Sequence, residues 1–243
     1  MFATDTHENR GHSTLQRMNP TPPELYATAT SLYAGVVYDA LRFDLNVTSP
    51  FVLAEGIKPA WGFKQVLFGP AFTCKSQIVA DPAHLDDSIR IKMFKSFYPG
   101  CVQVIASGGF RKVAQFGDIS AKLAHKFGCV GAVLDGPTRD IKIISEDGFK
   151  IFSQGVQPTD AYGRWQIVDF EVPITMPGID GDVEIQPGDY IWGDTDGAIR
   201  IPKDQVEECI DLAAKRLERE NVIRAAITNY SDIQKMYDEL GRW

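Results

Sequence analysis

The sequence predicts an α/β fold with a mixed central sheet, flanked by helices near the two ends of the chain. Residues 118–127 have the periodicity of an amphipathic helix and lead into a short apolar run, residues 130–134, typical of a strand buried on both faces. From residue 149 to about 201, short apolar runs alternate with turn signals, which is typical of β-structure. A long amphipathic helical pattern then follows.

The composition narrows the class of protein. The 243 residues are 44% hydrophobic and 23% charged, as in ordinary globular proteins, and the net charge of −7 argues against general affinity for nucleic acid or anionic membranes. No apolar run approaches the roughly 18 residues of a membrane span, and the first residues lack the apolar region of a secretory signal. The scattered cysteines, Cys74, Cys101, Cys129 and Cys209, predict buried thiols in a reducing compartment. We therefore expect a cytoplasmic protein.

The first third of the chain is predicted to be mainly helical. Residues 1–20 are polar and mixed in charge, which predicts a flexible arm ahead of a single domain over residues 21–243. Thr21 is expected to cap a helix with prolines in its first turn. Helical periodicity continues in two pieces to about Leu45. Prolines and glycines then break residues 48–63 into a loop with short extended pieces.

The next segments predict alternating strands and helices. Residues 66–78 are rich in β-forming side chains, with a kink expected at Gly69-Pro70. Residues 81–97 suggest a helix that carries Leu85, Ile89 and Met93 on one face. Residues 102–105 read as a short strand that runs into a glycine-containing loop.

Residues 116–140 are the most informative stretch. Ile119, Leu123 and Phe127 recur every four residues and share one face of the predicted helix. After the buried strand, the turn Asp135-Gly-Pro-Thr-Arg139-Asp140 lies at the strand's carboxyl end, where open α/β sheets bind ligands. There a carboxylate can hold a hard divalent cation and an arginine can bind an oxyanion. This pairing favours an enzyme.

The last third predicts a hairpin and C-terminal helices. Asp196-Gly197 between two apolar runs is a strong hairpin signal. Pro202 is expected to begin the helical region, which spans residues 203–240. Its apolar stripe is Val206, Ile210, Ala213 and Leu217.

Structural explanations compete with the functional ones at each candidate residue. Arg139 and Asp140 could form a surface ion pair, and Asp118 could simply complement a helix dipole. Asp135 is expected to be structural, capping its turn or holding Arg139. His125 is expected in packing or solvent rather than on a metal. The loop 107–111 could be a substrate loop or a plain loop with a solvated arginine.

Three pieces in order resemble the RraA-like family. They are FGD with its helix leading to VLDGPTRD, the block IQPGDYIWGDTDGAIRIP, and a C-terminal helix with Arg216, Glu220 and Arg224. Within that family the chain resembles the class II 4-hydroxy-4-methyl-2-oxoglutarate/4-carboxy-4-hydroxy-2-oxoadipate aldolases, from about residue 23 to 240. The resemblance implies a swivelling β/β/α sandwich, assembled as homotrimers or homohexamers with sites at subunit interfaces.

The resemblance also implies a site. A divalent metal, Mg²⁺ or Mn²⁺, would be held by Asp140, and Arg139 would bind the substrate. Asp118 would orient a catalytic water. A glutamate from the neighbouring subunit maps onto Glu220, with Glu218 as the alternative.

Cleavage of a 2-oxo acid by a retro-aldol reaction requires stabilisation of a pyruvate enolate, by a lysine Schiff base or by a metal. No lysine stands out in an apolar run, so a metal is favoured. Backbone amides near Gly117 and Ile119, at a helix start, would anchor the substrate carboxylate. The expected function is a metal-dependent lyase that releases pyruvate, with oxaloacetate decarboxylation as a related activity.

Two departures from the aldolase pattern could signal a different 2-oxo acid substrate or a catalytically silent oligomer, and the resemblance to RraA leaves a further alternative open. Many of these aldolases carry a second acid where this chain has Ile143, and Pro137-Thr138 is an unusual form of the turn. The alternative is a non-catalytic RraA-type protein that binds and regulates a ribonuclease.

Overall fold

The computed structural model describes residues 20–79 and 87–241. The predicted arm, apart from Pro20, and the start of the predicted 81–97 helix, with Leu85, lie outside the described residues. Within the described ranges no helix has both the length and the apolar character needed to cross a membrane.

Helices flank the sheet on two sides. The helices are α1 (Pro23–Ser31), α2 (Ala34–Asp39), α3 (Asp87–Ser96), α4 (Asp118–Lys126), α5 (Ile141–Glu146), α6 (Val206–Ile227) and α7 (Ile233–Leu240), and a π-helical turn, Ala40–Asp44, extends α2. The strands are β1 (Lys58–Pro59), β2 (Leu67–Ile78), β3 (Val102–Ala106), β4 (Gly131–Leu134), β5 (Lys150–Ser153), β6 (Trp165–Phe170), β7 (Ile174–Met176), β8 (Val183–Ile185), β9 (Tyr190–Asp194) and β10 (Gly197–Ile201).

The main sheet is mixed and nearly closed. Its strand order is β1-β5-β4-β3-β2-β9-β10, with β6 also paired to β2. The run β2-β3-β4-β5 is parallel, whereas β1, β6, β9 and β10 pair antiparallel. The two outer strands approach each other, since Lys58 Nζ donates a hydrogen bond to the Asp196 carbonyl oxygen at 2.5 Å. The expected α/β class with a mixed central sheet and flanking terminal helices is confirmed.

The core has three parts. Apolar side chains such as Leu67, Val104, Phe152 and Ile191 fill the interior of the nearly closed sheet, together with residues of the β7–β8 hairpin. A second cluster joins the sheet to α1, α2 and α6, and a third joins it to α3, α4 and α5. The stripe of α6 predicted from the sequence belongs to the second cluster.

Several local predictions need correction. Thr21 does not cap α1, because Pro22 occupies the cap position and the Thr21 hydroxyl donates to Tyr190 Oη at 3.3 Å. Gly69-Pro70 does not kink the strand, because β2 is continuous. Residues 67–70 pair with β9, and residues 71–75 pair with β3 on the opposite side of β2. Pro202 precedes α6 by a turn, so the helix begins at Val206.

The hairpin predicted at Asp196-Gly197 is confirmed, since β9 and β10 pair with Asp194 opposite Gly197. The predicted helix at 118–127 is also present as α4, but its buried residues are Ala121 and Ala124. Ile119 is 61% exposed and Phe127 39% exposed. The small alanines pack α4 against the sheet, Leu123 packs partly against the same core cluster, and Ile119 and Phe127 remain on the outer side.

Candidate active site

Asp140 occupies an unusual backbone position. It lies at the cap position of α5 in the left-handed region, with φ 61° and ψ 28°, which few residues other than glycine, asparagine and aspartate adopt readily. Its carbonyl oxygen accepts hydrogen bonds from the amides of Ile143 and Ile144, but its carboxylate makes no capping bond to α5. The carboxylate is therefore directed away from its own helix.

That carboxylate lies instead at the start of α4. Asp140 Oδ2 is 3.3 Å from the Asp118 amide nitrogen and 3.2 Å from Arg139 Nε. The positive end of the α4 dipole and the guanidinium thus both lie against this carboxylate oxygen. Oδ1 has no hydrogen-bond partner among the described residues, and the side chain is 33% exposed. One oxygen thus remains available to a ligand.

Gly117 makes this approach possible. Its backbone is extended, so the glycine is not required for φ. A Cβ at this position would lie 2.6 Å from Asp140 Oδ2 and 3.2 Å from Arg139 Nε. The absence of a side chain allows the carboxylate and the guanidinium to pack against the backbone.

The turn that carries Arg139 is fixed by backbone pairing. Thr138 forms isolated β-bridges to Phe116 and Val156, and the Arg139 amide donates to the Phe116 carbonyl oxygen at 2.9 Å. The Thr138 hydroxyl donates to the same carbonyl oxygen at 2.9 Å. Arg139 Nη1 donates to the Thr159 carbonyl oxygen at 3.4 Å. Arg139 and Gly117 are therefore held next to each other by the fold.

Asp135 has a structural role with partners other than those expected. It is fully buried, and its carboxylate accepts hydrogen bonds from the Ser107 amide at 2.8 Å, the Ser107 hydroxyl at 2.5 Å and the Gly109 amide at 3.0 Å. It does not contact Arg139. Arg111, at the end of this loop, donates to the Gln154 carbonyl oxygen at 2.9 Å and does not line the cavity described next.

A cavity of about 260 Å³ adjoins the turn. Its walls include all five predicted residues that lie in the central stretch, namely Gly117, Asp118, Ile119, Arg139 and Asp140. The sequence did not identify the other wall residues, which come from α3, β3, β6, the loop before α4 and the loop before β6. They include Arg90, Gln103, Gln115, Asp160 and Trp165. These wall residues are far apart in sequence. The alternating pattern of the predicted β-segment could have indicated only that Trp165 and Ile167 share one face of a strand.

Glu220 does not line the cavity of its own chain. Its carboxylate accepts hydrogen bonds from the Tyr33 hydroxyl and from Arg224 Nη2, the latter at 2.5 Å. Burial raises the pKa of Tyr33, and the hydrogen bond to Glu220 raises it further. Glu218 is exposed. The cross-subunit role of either glutamate stays a prediction.

The pyruvate enolate could be stabilised by a metal ion or by a lysine Schiff base, and the described residues differ in how well they suit these two routes. Among them, no cluster of three or more His, Cys, Asp or Glu side chains could enclose a metal ion. A cation here would therefore take few protein ligands. His125 is exposed on α4, away from the cavity. The cavity walls, so far as the chain is described, contain no lysine; burial lowers the pKa of Lys150, but this side chain lies elsewhere.

Sequence comparisons place the chain among known proteins. A family model named RraA-like and described as Aldolase/RraA matches residues 36–200. A protein from Halalkalibacterium halodurans named "Putative 4-hydroxy-4-methyl-2-oxoglutarate aldolase" is 34% identical over 193 residues, which cover 79% of this chain and 83% of that protein. A protein of the same name from Ectopseudomonas mendocina is 32% identical over 129 residues, covering 52% of this chain and 75% of the relative.

Solved structures share the fold. An uncharacterized protein from Pseudomonas syringae pv. tomato aligns with a TM-score of 0.74 and 26% identity, over 90% of this chain and 99% of the other. Streptomyces coelicolor RraAS2, described as an unusual member of the RNase ES inhibitor RraA protein family, aligns with a TM-score of 0.70 and 23% identity, over 85% and 98% of the two chains.

Proposed function

Because the chain belongs to the RraA-like family, we propose that it is a metal-dependent lyase that cleaves a 2-oxo (di)carboxylic acid to pyruvate by a retro-aldol reaction. The observation that carries the proposal is the grouping of Arg139, Asp140 and the Asp118 amide around one carboxylate oxygen at the wall of a cavity. The aldolase names of the relatives support the same reaction class.

The chain's own groups suit a 2-oxo acid. The start of α4, with backbone amides near Gly117 and Ile119, provides a positive dipole end for the substrate carboxylate. Arg139 places a fixed positive charge where negative charge develops on the 2-oxo oxygen as the carbon–carbon bond breaks. Because the guanidinium is held by Asp140 Oδ2 and by the Thr159 carbonyl oxygen, this charge requires little reorganisation during the reaction.

Asp140 fits a hard divalent cation. Its Oδ1 has no partner among the described residues, and its partial exposure leaves room for water, as Mg²⁺ prefers few carboxylates and several waters. Mg²⁺ or Mn²⁺ held there would supply Lewis-acid stabilisation of the negative charge on the substrate oxygen. The alternative route has no candidate among the described wall residues, which include no lysine.

Asp118 is proposed to handle the proton. Its side chain begins α4 and lines the cavity beside Asp140, where its carboxylate would orient the water that protonates the methylene carbon after cleavage. Decarboxylation of oxaloacetate leaves the same carbanion at the same place. We therefore expect oxaloacetate decarboxylation as a side activity.

The proposal includes a homotrimer or homohexamer whose subunit interfaces complete the sites. Glu220, or Glu218 in its place, would reach the site of a neighbouring subunit.

The test measures pyruvate release from oxaloacetate and from 4-hydroxy-4-methyl-2-oxoglutarate, coupled to lactate dehydrogenase, with Mg²⁺ and with EDTA. Asp140→Asn is the informative variant because asparagine tolerates the left-handed backbone, and Asp211→Asn on the exposed face of α6 is its control. Turnover above a no-enzyme reference, lost with EDTA and with Asp140→Asn, is expected. Rates equal to that reference on both substrates would exclude these two acids as substrates. The remaining candidates would then be a different 2-oxo acid and the ribonuclease-regulator alternative, for which binding would be insensitive to EDTA.

A further inference from the structure

One part of the cavity wall has no role in the chemistry proposed above. We call it the inner lobe and define it by Met93, Phe94, Gln103, Ile105, Trp165 and Ile167, which come from α3, β3 and β6. All six side chains are buried, and five of them are apolar. The indole N–H of Trp165 is already paired with the Ser76 hydroxyl at 3.0 Å. The lobe is thus an apolar recess with a single polar group.

That polar group, the Gln103 amide, lacks adequate partners. Gln103 is 1% exposed, and its Nε2 contacts only Met93 Sδ at 3.4 Å and Cys74 Sγ at 3.6 Å. Sulfur is a weak acceptor. Its Oε1 has no hydrogen-bond partner in the described part of the chain. Buried amides are almost always paired, so an unpaired one that lines a cavity indicates a ligand group.

The charges around the cavity argue against a second carboxylate in the lobe. Two cationic side chains line the described walls, Arg139 and Arg90. Arg139 pairs with Asp140. Arg90 is exposed, donates to the Ser120 hydroxyl at 3.2 Å and lies 5.6 Å from the centre of the Phe94 ring. Because Arg139 is paired and Arg90 is exposed, a carboxylate in the recess would lose its hydration without gaining a buried, unpaired cation among the described wall residues.

We propose that the inner lobe is a specificity subsite that binds the distal part of the substrate, an apolar substituent ending in a hydroxyl, such as a hydroxyphenyl group. This inference rests on the proposed function and names the substrate class of the same site, a 4-hydroxy-2-oxo acid with such a substituent at C4. A hydroxyl both donates and accepts, so it pairs with the Gln103 amide in either orientation of that amide. The aromatic and aliphatic walls bury the rest of the substituent.

The test compares the binding of three uncleavable 2-oxo acids by calorimetry in the presence of Mg²⁺. They are 4-(4-hydroxyphenyl)-2-oxobutanoate, 4-phenyl-2-oxobutanoate and 2-oxoglutarate. We expect the hydroxyphenyl compound to bind at least about tenfold more tightly than 2-oxoglutarate and about three- to tenfold more tightly than the phenyl compound. Equal or tighter binding of 2-oxoglutarate, or no effect of the hydroxyl, would overturn the inference.

Variants assign the effect to the amide. Gln103→Leu should remove the preference for the hydroxyl and leave the affinity for the phenyl compound nearly unchanged. Gln186→Leu, an amide-to-leucine change outside the cavity, should keep the full preference. Thermal unfolding verifies that each variant folds; if Gln103→Leu does not fold, the ranking of the three ligands on the natural chain still decides.

A separate readout distinguishes this inference from the proposed function. Exchange of the pyruvate methyl protons with D₂O, followed by NMR, reports enolisation and does not involve the inner lobe. Exchange that requires Asp140, together with a preference for 2-oxoglutarate, would refute the lobe inference alone. The expected ligand ranking without any exchange would refute the lyase proposal and leave the lobe assignment in place.

Discussion

Replacing Gly117 by alanine should displace the side chains of the site while leaving the stability of the fold nearly unchanged. The new methyl carbon would lie 2.6 Å from Asp140 Oδ2 and 3.3 Å from Arg139 Cγ. Because a carbon–oxygen contact settles near 3.3 Å or more, the carboxylate must move by roughly 0.7 Å. The atoms in the way belong to side chains rather than to backbone, so the chain can adjust without unfolding.

The expected loss follows from that displacement. A misplacement of about 1 Å can reduce a rate by about 10²-fold, so we expect kcat/KM to fall by about 10- to 100-fold, equivalent to about 1.4 to 2.7 kcal/mol of transition-state stabilisation. The concentration of Mg²⁺ needed for half-maximal activity should rise as well, because Asp140 is the proposed ligand. The free energy of unfolding should change by less than about 1 kcal/mol, since the extended backbone at residue 117 accepts alanine.

Steady-state pyruvate release over a range of Mg²⁺ concentrations measures the first two quantities, and denaturant unfolding measures the third. Gly62→Ala is the matched control, because a Cβ there has no atom within 4 Å. A Gly117→Ala protein with the natural rate and the natural Mg²⁺ dependence would refute the role given to the Asp140 carboxylate. A large loss of stability would show instead that the glycine serves the fold.

Three further predictions concern single carboxylates. Burial raises the pKa of Glu171 to about 7, above its ordinary value of 4.5, so the stability that this side chain contributes is present below pH 4.5 and is lost as the pH rises through 7. The free energy of unfolding of Glu171→Gln should therefore rise by up to about 2 kcal/mol relative to that of the natural chain when the pH is raised from 5 to 8. Urea unfolding at the two pH values measures this difference. Asp135→Asn should lower the free energy of unfolding by about 1 to 3 kcal/mol, because the buried carboxylate accepts three hydrogen bonds from the 107–109 loop; an unchanged urea midpoint would contradict this role. Glu220→Gln should change the free energy of unfolding by less than about 0.5 kcal/mol, as expected for an exposed i,i+4 pair with Arg224. It should reduce pyruvate release about tenfold or more if the glutamate serves a neighbouring subunit. Full activity would leave Glu220 only its pairing role.

The sequence predicted the part of the site that is contiguous in the chain. Gly117, Asp118 and Ile119 meet Arg139 and Asp140 because a helix, a buried strand and a turn follow each other directly, and each has a local signal. The short helix α5 was missed, since six residues after a left-handed aspartate have no periodicity that stands out. Gln103 and Trp165 could not be assigned to the site from the sequence, because their position depends on the pairing of β2 with both β3 and β6.

Tertiary packing also decided features that periodicity left open. Ile119 and Phe127 lie on one side of α4 as predicted, but the alanines on the opposite side make the closer contact with the sheet. Thr21 has the chemistry of a cap, yet the next residue holds the cap position and the hydroxyl bonds to Tyr190. Local preferences for a helix cap or a helix face are weak, and contacts between distant parts of the chain easily outweigh them.

The pairing of β2 with three other strands has a consequence for how the protein folds. This one strand pairs with β3, β6 and β9, and β9 follows it by more than a hundred residues of chain. The pairing around β2 cannot be completed before segments distant in the chain meet. The entropy cost of closing these long loops must therefore be met before most strand pairing stabilises the chain, and we expect slow folding. Amide protons of residues 71–75 should then exchange only through global unfolding, which makes this segment a probe of the stability of the whole molecule.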